Sequence, residues 1–150
     1  MKNNMKKSFF IILLILLLIT IIAIYTVYCY RSQKLSSQKI NYTYQSYYNI
    51  EILGTELMSI INKTIDTNQK NDIAKNSEGY YIDNGDDSIQ IEIIFIYKDE
   101  TKTVKMEDIA ESGTESFIKT YSTANFKCTK IEYHTKTKNV KSLTFEEIIL

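Results

Sequence analysis

The chain has 150 residues, with 18 Lys plus Arg against 18 Asp plus Glu, one His, two Cys, four Gly, and neither Pro nor Trp. So few Cys and His exclude a disulfide scaffold and a closed Cys/His zinc site, and the absence of Pro beside four Gly excludes a collagen-like or Pro-rich chain. The formal charge of zero is a sum of unlike parts: all 18 acidic residues follow position 50, whereas the first 30 residues carry only Lys2, Lys6 and Lys7 as charges.

Residues 9–30 read FFIILLILLLITIIAIYTVYCY, 22 positions without a charge. At about 1.5 Å per residue they make about 33 Å of helix, enough to cross the roughly 30 Å hydrocarbon core of a bilayer. Thr20 can return its hydroxyl proton to a preceding carbonyl, and Tyr25, Tyr28 and Tyr30 suit the headgroup layer. A cleaved signal would have a shorter apolar core and a site of small side chains. Here Ala23 lies between Ile22 and Ile24, and Tyr28 precedes Cys29 where lipoprotein processing takes a small residue. The segment is therefore expected to remain as a signal anchor in the lipid bilayer. Lys2, Lys6 and Lys7 on one side nearly balance Arg31, Lys34 and Lys39 on the other. The short tail of residues 1–8 decides the expected orientation: tail cytoplasmic, C-terminal domain extracytoplasmic.

No Pro or Gly lies between Ser8 and Leu53, so the backbone is free to continue as helix beyond the membrane. Residues 31–49 form a polar, Tyr-rich stalk. Ile50, Leu53, Leu57, Ile60, Ile61 and Ile65 then recur at helical spacing, with Gly54 leaving room for another element to approach. Residues 88–98 (SIQIEIIFIYK) alternate and then turn apolar on both faces, which predicts a central strand covered by a helix on one side. Residues 98–102 (KDETK) read as a turn into a strand with Val104 and Met106. Ile109, Ala110, Gly113, Phe117, Ile118 and Tyr121 predict a helix over 107–122, broken near Gly113, where Thr114 can cap a second turn. Strands at 126–134 and 140–145 flank TKTKN as a hairpin. The predicted class is α+β: a membrane helix that can run on into an amphipathic helix packed on a small antiparallel sheet of 4–5 strands, plus one further helix. The α+β domain is placed at residues 50–150.

The catalytic inventory is poor, and the chain is expected to be non-enzymatic with no cofactor. Cys128 and His134 stand about 20 Å apart on one predicted strand, which reads as a buried structural Cys and a surface His. Residues 83–88 (DNGDDS) place Asp83 and Asp87 at calcium-ligand spacing, yet the sixth position is Ser88 and the twelfth is Ile94, where a calcium loop has Gly and Glu. Asn84-Gly85 is turn chemistry, and Asp83 and Asp87 remain only a weak pair of candidate metal ligands.

Charge is more informative. Residues 51–118 hold 15 acidic and 6 basic groups, whereas 119–145 hold six Lys against Glu132 alone. Lys127, Lys130, Lys136, Lys138 and Lys141 are the candidate interaction residues. Their expected partners are an acidic protein surface such as a neighbouring copy's DNGDD turn, phospholipid heads or an anionic wall polymer. Nucleic acid is not expected, because interleaved Arg and a stacking platform are missing. Twenty-five Ile, 17 Lys and 11 Asn against one Arg point to an AT-rich genome, hence a low-GC bacterium.

In outline the chain resembles type IV pilins and the pseudopilins of type II secretion, with residues 9–30 as the apolar first half of the long helix and 50–65 as its amphipathic second half. The resemblance implies a structural subunit without catalytic residues. The family's processing motif is not present: Lys7-Ser8-Phe9 stands where a Gly precedes the apolar run, and Ile11, Ile12 and Leu13 bring no carboxylate. The leading expectation is an interaction subunit of a cell-envelope or pilus-like assembly; the alternative is an anchored sensor or ligand-binding module.

Overall fold

The computed structural model describes residues 2–97 and 100–149, with side chains for all of these except 2–8 and 33. Residues 98 and 99 of the expected KDETK turn lie outside the described residues. Two units divide the chain, Met1–Lys39 and Ile40–Leu150.

Helix α1, Lys2–Gln45, supplies the first unit and the opening residues of the second. Over residues 9–30 its large apolar side chains are 52–71% exposed, and none of its most apolar window is buried by protein. Thr20 and Thr26 donate their hydroxyls to Leu17 O and Ala23 O at 2.7 and 2.8 Å, so both threonine hydroxyls of this stretch are satisfied within the helix. Among the described residues, one helix is long and apolar enough to cross a membrane.

The helix does not run on into the amphipathic one. Tyr47 and Tyr48 N–H tighten the last turn onto Tyr44 O and Gln45 O, and Asn49 takes a left-handed φ of 61° while donating to Cys128 O at 2.9 Å. Asn tolerates that conformation because its short polar side chain compensates locally, so neither Gly nor Pro is needed to stop the helix. Residues 40–49, expected as the end of a stalk, belong to the second unit: Tyr44 is 1% exposed, and Ile40 and Tyr47 pack on its core.

After this break come β1 (Glu51–Leu53), α2 (Gly54–Lys70), β2 (Gln90–Tyr97), β3 (Glu100–Lys105), α3 (Met106–Ser112), α4 (Thr114–Tyr121), β4 (Asn125–Tyr133) and β5 (Val140–Ile148). The class is α+β, and the described residues form a sheet of five strands in the order β1-β4-β5-β2-β3. The sheet is mixed, not wholly antiparallel, because β2 pairs with β5 in parallel through Ile91↔Leu143 and Ile93↔Phe145. The β4–β5 hairpin inserts between β1 and β2, and this insertion sets the parallel pair. Ile91, Ile93, Phe126, Cys128, Leu143 and Phe145 are fully buried on the sheet, while their neighbours Glu92, Lys127, Ser142 and Thr144 keep partial exposure. This alternation is the mark of a sheet with one face against a core.

Helix α2 packs on that core through Leu57, Met58, Ile60 and Ile61. Ile50 and Leu53, counted with this stripe in the sequence, lie instead in the turn and in β1 and are about half exposed. Gly54 is required where it stands: a Cβ there would lie 1.9 Å from Tyr121 O at the end of α4. Gly113, with φ 91°, splits α3 from α4 as expected, but Thr114 opens α4 without capping it, and Ser116 N and Phe117 N reach Gly113 O.

Candidate functional site

Of the sequence-predicted residues, Asp83, Lys136, Lys138 and Lys141 gather at the tip of the β4–β5 hairpin, where they meet their own chain, whereas Lys127 and Lys130 lie along β4 away from it. In the loop of residues 83–88, Asn84 Oδ1 accepts the N–H groups of Asp86, Asp87 and Ser88, each at 3.0 Å, and Asp83 Oδ1 accepts Gly85 N–H at 2.8 Å. Asn84 Nδ2 donates to Asp87 Oδ1 at 2.7 Å. Both candidate metal ligands, Asp83 and Asp87, are thus engaged by turn chemistry. Among the described residues, no group of three His, Cys, Asp or Glu is arranged to hold a metal ion.

Lys141 Nζ lies 2.8 Å from Asp83 Oδ2, and Lys136 Nζ lies 3.5 Å from Asp86. The Lys141 ammonium, followed by the Gly85 N–H, holds the Asp83 carboxyl below its ordinary value, and Asp83 raises Lys141 in return. Thr137 Oγ1 and Asn139 Nδ2 both donate to Asp86 O, locking the hairpin tip to the loop. Lys130 pairs with Glu132 at 2.6 Å, raising the lysine and lowering the glutamate. Lys127 stands in register between Glu51 of β1 and Glu146 of β5. Lys138 turns the tip with φ 61°, and its carbonyl accepts Asn41 Nδ2 at 3.1 Å.

His134 is buried, 2% exposed, which corrects the surface position expected for it. Its Nε2 donates to Ser88 O at 2.8 Å, and its Nδ1 lies 3.5 Å from Asp83 Oδ1. Ser88, His134 and Asp83 thus share one cluster: the imidazole meets the serine carbonyl, while the serine hydroxyl donates to Asp83 Oδ1 at 3.4 Å and accepts Asn84 N–H at 3.2 Å. The cluster acts as a strut between loop and hairpin. Cys128 is buried as expected; burial pushes its thiol up to about 11, and Sγ donates to Lys130 O.

A second place was not anticipated from sequence. The end of α2, residues 75–81 and α3 enclose a cavity of about 390 Å³, lined among others by Lys75, Tyr80, Tyr81, Glu107, Asp108 and Glu111. Asp108 Oδ2 accepts Lys105 N–H at 3.0 Å at the start of α3, and its Oδ1 accepts the Tyr80 hydroxyl at 2.6 Å, which pushes that phenol up to about 12. Glu107 is 8% exposed; its Oε1 accepts Tyr81 N–H at 3.0 Å. Glu107 Oε2 and the Tyr81 hydroxyl are buried without a hydrogen-bond partner. Lys75 and Lys105 ammonium groups each lie 4.5 Å from the ring centres of Tyr81 and Tyr80. The only sequence signal was the surplus of acidic groups in residues 51–118, which does not say which of them converge.

Compared with protein-family models, with curated proteins and with solved structures, the chain finds no match in any of the three.

Proposed function

We propose that the chain is a single-pass membrane protein whose second unit is displayed outside the cytoplasm and works by association, without catalysis, in a cell-envelope or pilus-like assembly. The observation that carries this reading is the helix over residues 9–30. Its large apolar side chains are all more than half exposed, and its most apolar window has no protein cover, which lipid supplies at about 25 cal/mol for each Å² removed from water. The state of Cys128 and His134, one thiol raised by burial and one imidazole held to a carbonyl, supports a binding role over nucleophilic chemistry. Only the order of apolar helix, amphipathic helix and sheet, with β1 between the two helices, supports the pilin-like part of this reading. The contact surface is assigned to the hairpin, where the Lys136 side chain is 82% exposed and Lys138 turns the tip. Crosslinking of intact membranes with a lysine-reactive reagent tests association: adducts of defined mass through Lys136 or Lys138 are expected, and monomer alone would contradict it.

A second reading, an anchored ligand-binding module, is favoured by one observation: the unpartnered Glu107 Oε2 beside a cavity.

A further inference from the structure

We infer that the cavity between the end of α2, residues 75–81 and α3 binds an organic cation through a primary ammonium or guanidinium group. This rests on the second reading above, the chain as a binding module.

The unsatisfied atoms define the ligand. A buried carboxyl oxygen without a donor is costly, so Glu107 Oε2 calls for an N–H or O–H donor. The Tyr81 hydroxyl, also buried and unpartnered, offers an acceptor for a second N–H. Glu78, Asp108 and Glu111 add carboxyl groups to the lining, which disfavours an anion. A metal ion is not matched by any group of three ligating side chains among the described residues. A quaternary ammonium has the charge but no N–H to give Glu107. A primary ammonium or guanidinium has both, and the tyrosine rings already hold cations: Lys75 over Tyr81 and Lys105 over Tyr80. Lys75 lines the cavity and is itself exposed, so it stands as the resident cation that an incoming one displaces. The volume of about 390 Å³ lies at the small end of ligand sites and suits a single basic side chain or a short amine.

The test is calorimetric titration of the purified full chain in detergent micelles at pH 7 with agmatine, 1,5-diaminopentane, acetyl-Gly-Arg-Gly-amide and tetramethylammonium. Saturable binding of at least one of the first three is expected, with tetramethylammonium inert. Tight binding of the tripeptide identifies a basic side chain of a protein as the source, whereas binding confined to agmatine or the diamine identifies a free amine. Glu107→Gln, which keeps the Oε1 acceptor for Tyr81 N–H, should weaken binding by about tenfold. Lys75→Met removes the competing cation and should tighten it about threefold. Absence of saturable binding, equal binding of tetramethylammonium, or Glu107→Gln binding as the parent does would overturn the inference. Should Glu107→Gln not fold, Lys75→Met still decides, because unchanged or weaker binding contradicts displacement. The titration needs no membrane orientation and no assembly, so its failure leaves the anchor intact, and failure of the anchor leaves the titration valid.

Discussion

Lys141 Nζ lies 2.8 Å from Asp83 Oδ2, so the basic hairpin closes on the acidic loop of its own chain. The charge contrast along the sequence is therefore partly spent inside the fold. Because the Asp83 carboxyl titrates below its unfolded value near 3.8, its contribution to stability is fully present above that value. It is lost as pH falls through the lower folded value. Urea denaturation of the parent and Asp83→Asn at pH 6 and pH 3 should show the parent losing more stability on acidification than the variant. Equal losses would remove this pair from the acid response.

Gly54→Ala is expected to be among the most damaging single-methyl changes in the chain. The added Cβ would meet the Tyr121 carbonyl oxygen at 1.9 Å, and backbone cannot swing aside as a flexible side chain can. A loss of about 1–3 kcal/mol or more follows from such overpacking. The urea midpoint measures it, and a loss below about 0.5 kcal/mol, the range of surface substitutions, would contradict the close approach of α2 and α4.

Asn68 pairs with one residue twice, Nδ2 donating to Ile89 O at 2.7 Å and Oδ1 accepting Ile89 N–H at 2.9 Å. Asn68→Ala should leave both backbone groups buried and unmatched, at a cost of about 2–4 kcal/mol. The exposed Asn62→Ala serves as the control and should stay within about 0.5 kcal/mol.

Cys128 is 0% exposed, and its thiol is pushed up to about 11 by burial. Iodoacetamide at pH 8 should leave it unmodified in the folded protein and label it in urea, as peptide mass mapping would show. Rapid labelling without denaturant would contradict the packing of β4 against the core.

What could be read from the sequence was what local pattern decides. The stripe of Leu57, Ile60 and Ile61 gave α2, the alternation through Ile91 and Ile93 gave β2, and the glycines at 54 and 113 marked a close approach and a break. What escaped depends on partners far along the chain. The first helix stops because Asn49 N–H reaches Cys128 O, and no residue near position 49 announces that partner. His134 is buried because Ser88, 46 residues earlier, supplies its acceptor. The parallel pairing of β2 and β5 follows from where the hairpin inserts, not from the composition of either strand. The cavity was hidden for the same reason: Glu107 and Tyr81 are 26 residues apart, and only the packing of α3 against residues 75–81 joins them.

Protease treatment of intact cells, followed by immunodetection of the C-terminal region, tests most directly the proposal that this region is membrane-anchored and faces outward. The expected result is loss of that region without permeabilisation, leaving a membrane-embedded fragment that contains residues 9–30. Survival of the region until the membrane is opened, or its release from membranes with no embedded fragment, would contradict it.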